Sequence, residues 1–212
     1  MQVIFGRSTN NPPLSGTTER EYVYMGILSA ETLKHKNILH SGGIRNRIIT
    51  RVYDSPCGTL ILGSCKDKLC LCDWQAAKHR EYAANRLRRL LNAEFMVGTT
   101  AVIDAAVAQL DEYFARTRHD FDIPLMFAGT EFQKKVWNAL LGIPYGTTIS
   151  YGELARRIGM PKAIRAIANA NGANVISIFA PCHRVIGSDH SLTGYSGGVA
   201  AKEYLLNLEN DY

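Results

Sequence analysis

The chain lacks any hydrophobic run long enough to cross a bilayer, any internal repeat, any low-complexity tract and any basic tail. Its early apolar stretch, Tyr22–Ala30, comes after the charged pair Arg20-Glu21 and is too short to span a membrane. It has no convincing cleavage context either, so no secretory signal is expected. An even cysteine count is missing too: the five are Cys57, Cys65, Cys70, Cys72 and Cys182. Together these absences argue against a secreted disulfide scaffold and for free thiols in a reducing, intracellular compartment. That compartment is cytoplasmic, or nuclear in a eukaryotic host.

What is present is ordinary for a folded protein. Apolar residues make up 46% and charged residues 20%, which excludes disorder or a collagen-like repeat for the whole chain. At 212 residues one large domain or two small ones fit, with a real core. The net charge of +5 leans toward an acidic partner without establishing one. It is also spread out: residues 131–212 hold 8 basic and 6 acidic side chains, leaving 16 and 13 for the rest. Nucleic-acid binding must therefore rest on a local patch.

Residues 1–45 read as an N-terminal extension without assigned function, with one or two helical turns within Glu31–Ile38 between loop-forming segments. A strand-rich section comes next. The β-branched Ile48–Tyr53 predicts a strand, Ser55–Gly58 a turn, Thr59–Leu62 its return, and Leu69–Cys72 a third strand closed by Asp73-Trp74. Ala76–Leu91 predicts a helix. Thr100–Arg116 predicts another, with Ile103, Val107, Leu110 and Phe114 on one face. Phe121–Pro124 reads as a link between units at 46–125 and 126–212.

The second unit opens on Thr130 and Gln133, a capping box, before a helix expected to bury Phe132, Val136, Trp137, Leu140 and Leu141. Ser150 and Glu153 form a second box. Gly159-Met160-Pro161 is a tight turn, Pro161 suits the first turn of the next helix, and that helix stops at Gly172. Two short helices joined this way make a helix-turn-helix. Arg156, Arg157, Lys162 and Arg165 lie within ten acid-free residues of it, beside small residues such as Ala166 that permit close approach to DNA. The alternative is a solvated pair packed only on its own domain.

The most specific signal is Pro181-Cys182-His183-Arg184-Val185-Ile186-Gly187, after the strand-like run Val175–Phe179. A thiol next to His and Arg is expected to have a lowered pKa and to act as a nucleophile without metal or cofactor. Adjacent residues of an extended strand point apart, so Cys182 and His183 must sit at a turn or meet through water. The bland alternative is a buried structural cysteine. Cys70 and Cys72 share one strand face, which permits a metal and equally suits a core; no ligand set can be matched, and no metal is expected.

From about Arg47 to Asp211 the chain resembles the O6-alkylguanine-DNA alkyltransferases (methylated-DNA–protein-cysteine methyltransferases). The resemblance rests on Gly142–Gly146, Ser150–Ala155, Arg165-Ala166 with Asn171–Asn174, Pro181–Gly187, Gly194–Gly198, and Lys202 through Leu205-Leu206 to Glu209. It implies an α+β fold: a small N-terminal β-sheet with helices (ribonuclease H-like), then a mainly helical winged helix-turn-helix domain. It implies a suicide repair protein that moves an alkyl group from O6 of guanine, and less generally O4 of thymine, onto Cys182. His183 would be the base through a water, Glu209 its orienting group, Tyr151 the proton donor to N3 and Lys202 an electrostatic aid. Asn174 matches the hinge. Tyr195 would wall the alkyl pocket, Ser196 and nearby backbone would bind O6, Gly197 would allow close approach, and carbonyls near Cys182 and Val185 would read the exocyclic amine. Arg165 matches the finger that replaces the flipped base, with Lys162, Arg156, Ala166, Asn171 and Arg184 as further DNA contacts. The implied partner is double-stranded DNA containing alkylated bases, bound by a monomer without cofactor or membrane.

Departures from the family pattern are Met160, where an Asn or Ser helix cap is usual, and Val175 and Ser177, where many relatives have proline. The retained cysteine separates the chain from alkyltransferase-like proteins, which only bind lesions. Other readings are a non-catalytic lesion-binding or regulatory helix-turn-helix protein, and a Cys-His hydrolase, which would need an oxyanion hole and true turnover.

Overall fold

A computed structural model describes residues 45–192 and 194–210. Apart from Arg45, the expected extension lies outside these residues, as does its helical segment at 31–38. The described chain is α+β. Strands β1 (Asn46–Ser55), β2 (Gly58–Cys65) and β3 (Lys68–Trp74) form an antiparallel meander. Helix α1 (Arg80–Leu91) then crosses over to β4 (Ala93–Val97), which pairs parallel to β1, so the sheet order is β3-β2-β1-β4. Strand β4 is not among the elements expected from sequence. Its signal is a short alternation of buried Ala93 and Phe95 with exposed Glu94 and Met96, directly behind a helix. Helix α1 starts at Arg80 rather than Ala76, behind His79, whose side chain makes no capping bond. It ends at Asn92, whose left-handed backbone suits an asparagine.

Helix α2 (Ala101–Phe114) starts where Thr100 accepts the Ile103 amide. Its buried face is not the expected one. Ile103 and Leu110 are buried as read, but Ala106 and Tyr113 replace Val107 and Phe114, which are half-buried. A tyrosine can serve as core there because its hydroxyl donates to the Glu209 carboxylate at 2.7 Å.

The linker is bound rather than free. Leu125 bridges Leu69 on the outer edge of β3, and Ile176 bridges Cys72 on the same edge, so both segments cover unpaired backbone and tie the sheet to the C-terminal part of the chain. That part holds α3 (Glu131–Leu140), β5 (Ile149–Ser150), α4 (Tyr151–Arg157), α5 (Ile164–Gly172), a 3-10 turn at Cys182–Arg184, β6 (Val185–Ile186) and α6 (Gly198–Asn210). Both bonds of the Thr130–Gln133 box are made. Val136, Trp137 and Leu140 are buried as expected, whereas Phe132 is half-buried and Leu141 exposed.

Three local expectations fail. Ser150 accepts the Glu153 amide, but the Glu153 carboxylate turns outward to Arg156 and Arg157, so the second box is only half built. Pro161 sits in the turn before α5, which begins at Ile164 behind Ala163, a residue with no side chain able to cap it. The Val175–Phe179 run is not a strand: it makes one bridge and turns at Ile178, whose φ of 71° is unusual and strained for a β-branched residue. That turn brings Cys182 back over the sheet.

Two hydrophobic clusters result. One lies between the sheet, α1 and α2, and includes Val175–Phe179 residues and Ala201, Leu205 and Leu208 of α6. The other surrounds Trp137 between α3, α4 and α5, and takes in Cys182 and Val185. Arg86 of α1 joins them. It is buried, lies over the Trp137 ring at 5.4 Å, and donates to the Ala173 carbonyl at the end of α5.

Candidate active site

The 3-10 turn resolves the geometry required of Cys182 and His183: three residues wind tightly and all are buried. The His183 ring hydrogen-bonds Glu209 from Nε2, at 2.8 Å to Oε1. With Nε2–H donating to a carboxylate, Nδ1 carries the lone pair, and Nδ1 is buried without a protein partner. Burial pushes the imidazole pKa down, against the pull of Glu209, so the ring is neutral and basic near neutral pH.

Glu209 is the hub. Its Oε1 accepts from His183, from Tyr113 at 2.7 Å and from Arg184 Nη2 at 3.0 Å. Its Oε2 accepts from Arg184 Nε at 2.8 Å and the Gly146 amide at 3.2 Å. Burial alone would raise the carboxyl, but His183 and Arg184 hold it down at about 2. Gly146 has φ +70°, and a Cβ there would sit 3.0 Å from the Glu209 carbonyl, so glycine is required for that approach.

Arg184 is a correction to the sequence reading. It is buried, forks onto Glu209 and donates to the Ile143 carbonyl at 2.6 Å, so it cannot contact DNA. The thiol is a second correction. Burial raises Cys182 to about 11, and the Asn174 hydrogen bond and the Lys202 charge offset this only in part, because the neighbouring guanidinium is committed to Glu209. Lys202 is itself buried and donates to the Val185 carbonyl at 2.7 Å. Asn174 braces the loop by donating to the Ala180 carbonyl and accepting the Ile176 amide.

Asn171 is the third correction. It is buried, donates to the Cys182 carbonyl at 3.4 Å and lies near the Tyr151 hydroxyl, so it belongs to the site interior and not to a DNA surface. Burial, and then Cys182, raise the Tyr151 phenol, which keeps its proton available for donation. Tyr195 stands edge-on to His183 at 6.4 Å between ring centroids and edge-on to Trp74 at 5.9 Å. Ser196 lies near the Asp73 carboxylate, and Gly197 lies flat on Trp74, where a Cβ would come within 2.5 Å of the indole.

On the outside, Lys162, Arg165 and Ala166 are exposed together on the turn and first residues of α5. Arg156 and Arg157 are ion-paired with Glu153, so the acid-free patch is weaker than its sequence suggests. Among the described residues Lys162 and Arg165 have no ion-pair partner. Tyr113, Asp73, Trp74 and Arg86 are site residues that sequence reasoning misses. They come from the first half of the chain, and only Tyr113 carries any signal, its place three residues after Leu110. Cys65, Cys70 and Cys72 are buried, with burial pushing Cys70 up to about 12. Among the described residues no three His, Cys, Asp or Glu side chains are grouped to hold a metal. No described helix is long and apolar enough to cross a membrane.

Two family models match the chain. Residues 48–127 match the family model of the 6-O-methylguanine DNA methyltransferase ribonuclease-like domain, and residues 131–211 that of the 6-O-methylguanine DNA methyltransferase DNA binding domain. A methylated-DNA–protein-cysteine methyltransferase of Methanosarcina acetivorans is 42% identical over 158 residues, covering 74% of this chain and 96% of that one. Its counterpart from Mycobacterium leprae is 45% identical over 162 residues, covering 75% and 90%. A crystal structure of Mycobacterium tuberculosis OGT in complex with DNA aligns with a TM-score of 0.65 at 41% identity, over 77% of this chain and 92% of that one.

Proposed function

The chain belongs to the 6-O-methylguanine DNA methyltransferase family, and from that premise we propose that Cys182 is the residue it consumes in DNA repair. Repair is by direct alkyl transfer onto a protein cysteine, and DNA is the partner. The observation that carries the assignment is the buried Cys182–His183 turn with Glu209 on the far side of the imidazole.

The proton of Cys182 Sγ passes to His183 Nδ1, with one water as the bridge. Sγ attacks the alkyl carbon, the Sγ–C bond forms as the C–O6 bond breaks, and the electron pair stays on the base. Tyr151 supplies a proton toward N3, and its phenolate is reprotonated by the proton that His183 took from the thiol, relayed through water. In net terms a proton replaces the alkyl group on guanine, and the thioether is permanent, so one protein repairs one lesion. Every atom in this balance comes from the chain, the base or water. Lys202 steadies the developing thiolate, and Asn174 and Asn171 hold the turn that presents it.

The target base must leave the duplex, at a cost of roughly a few kcal/mol. Arg165, exposed on α5, fills the gap, with Lys162 and the Arg156 edge on phosphates and Ala166 against the groove. The family's alkylated guanine is the substrate class, O4-alkylthymine a secondary one, and the protein acts as a monomer. Residues 46–125 form the supporting unit and residues 126–212 the DNA-binding and acceptor unit.

Intact-mass measurement tests the reading. After incubation with duplex carrying O6-methylguanine, we expect one methyl increment that saturates at one per protein and maps to Cys182. No increment, or continued turnover, overturns it. For Arg165→Ala the expected result is duplex repair slower by roughly ten- to a hundredfold, reflecting the lost support for the extruded base. Reaction of Cys182 with free O6-alkylguanine base should be unchanged. Equal duplex rates for variant and parent would remove Arg165 from this role.

A further inference from the structure

Most of the surplus charge lies outside the acceptor unit, in one short stretch. Lys78–Arg89 holds five cations, Lys78, Arg80, Arg86, Arg88 and Arg89, against one acid, Glu81. The surplus of four there compares with five for the whole chain. This stretch is most of α1 and the turn leading into it. In the other basic patch Arg156 and Arg157 are held by Glu153. Lys78 and Arg89, by contrast, are exposed and have no ion-pair partner among the described residues.

Arg86 decides where this charge sits. Its guanidinium donates to the Ala173 carbonyl at 2.8 Å, directly behind the last residue of α5, and lies over the Trp137 ring. Residues three and four positions apart are neighbours on a helix surface. Tyr82 and Arg89 therefore flank Arg86, and their strip borders the C-terminal end of α5. Glu81, Asn85 and Arg88 share a different strip at helical spacing, with Arg88 over the Phe95 ring at 4.9 Å and bonded to Asn85 at 2.7 Å. The acid is thus off the Tyr82–Arg89 strip. Tyr82 is 71% exposed, a large ring left in solvent, and its hydroxyl can donate to phosphate. Helix α5 has nine residues and spans only about 14 Å. A duplex seated on so short a helix runs past its ends, with one phosphate charge for every ~1.7 Å of axis.

We propose that the Lys78–Arg89 stretch is a second DNA-binding surface, continuous with α5. Arg89 and Tyr82, with Lys78 from the turn before them, hold the phosphate backbone beyond the end of that helix. This rests on the reading of α5 as the DNA-facing helix. Such contacts carry no sequence information and act on damaged and undamaged duplex alike. They strengthen the search for a lesion and leave the transfer step untouched.

Binding of the full chain to undamaged duplex, titrated between about 50 and 300 mM salt, tests this. Arg89→Gln and Lys78→Gln should each flatten the slope of log affinity against log salt by about 0.9, the scale of one lost phosphate contact. Each should weaken binding roughly eightfold at 0.1 M salt. The double variant should lose about twice as much slope, because the two positions share no partner. Lys68→Gln, at the opposite end of β3, makes the same change in net charge and should keep the parental slope. Transfer from free O6-benzylguanine base should run at the parental rate in every variant. A parental slope in Arg89→Gln, an equal loss in Lys68→Gln, or a slowed free-base reaction would overturn the proposal. A parental slope in Lys162→Gln would instead refute the reading of α5 as the DNA-facing helix.

Discussion

Replacing Cys182 by serine is expected to abolish alkyl transfer while leaving affinity for undamaged duplex within about twofold. The reason lies in how the thiol is kept. Burial holds it protonated, with a pKa of about 11. At pH 7 only about one molecule in ten thousand then carries the thiolate. The group is stored unreactive and is activated only when a proton acceptor and an alkylated base are both in place. A serine hydroxyl is far less acidic and far less polarisable, so the same base cannot activate it. The affinity should survive because Lys162 on the turn and Arg165 and Ala166 on α5 are exposed, away from the buried thiol. Intact mass and duplex binding check this together. A methyl increment on the serine variant would move the acceptor elsewhere, with half-buried Cys57 the first candidate.

Glu209→Gln is expected to reduce the transfer rate by roughly a hundred- to ten-thousandfold, as when the orienting carboxylate of a catalytic histidine is neutralised. The amide keeps the size of the side chain but brings an NH2 into a site where every neighbour is a donor: His183, Tyr113, Arg184 and Gly146. His183 loses the contact that selects its tautomer, and Arg184 is left as a buried cation without its anion. The stability cost should be about 3–5 kcal/mol. The pH dependence has a definite sign. The folded carboxyl ionises near 2 rather than 4.5, so its contribution is complete above about pH 4.5 and is lost as pH falls toward 2. That contribution is roughly 3 kcal/mol from the size of the shift. The gap in melting temperature between parent and Glu209→Gln should therefore be constant from pH 7 to 5 and close below pH 4. A gap that persists at pH 2.5 would show that Glu209 acts through packing rather than charge.

The two variants separate storage from activation. Cys182→Ser removes the reactant and leaves the scaffold. Glu209→Gln leaves the reactant and disables the group that positions its base. The arrangement also explains why one site draws on both halves of the chain. Tyr113 from α2 helps hold the carboxylate, Trp74 packs against Tyr195 and Gly197, and Arg86 secures the end of α5. Residues from 48–127 thus buttress the Cys182–His183–Glu209 cluster.

The local elements are legible wherever a short-range rule governs them. Ile48–Tyr53 is β-branched and forms a strand, and the Thr130–Gln133 box forms because both partners lie within one turn. The rules fail where a distant group intervenes. Glu153 leaves its box for two arginines, and Val175–Phe179 looks like a strand but is bent at Ile178, ahead of the turn that carries Cys182. The α2 face shifts because Tyr113 has a carboxylate to meet 96 residues away. Cysteine, histidine and arginine in one heptapeptide imply an acidic thiol, but the arginine turns away and burial dominates.

From its sequence alone the chain is committed to most of its helices and to the β1–β3 meander, to its exposed cationic turn and to the Pro181–Gly187 heptapeptide that sets a cysteine beside a histidine. Those depend on residue type and on neighbours a few positions apart, whereas the pairing of His183 with Glu209 spans 26 positions. The tertiary structure alone decides that Arg184 faces inward, that Cys182 is held protonated, and that Asp73, Arg86 and Tyr113 belong to the site. Desolvation and charge pairing are set by whatever the fold brings within a few ångströms, and no local pattern records which residues those are.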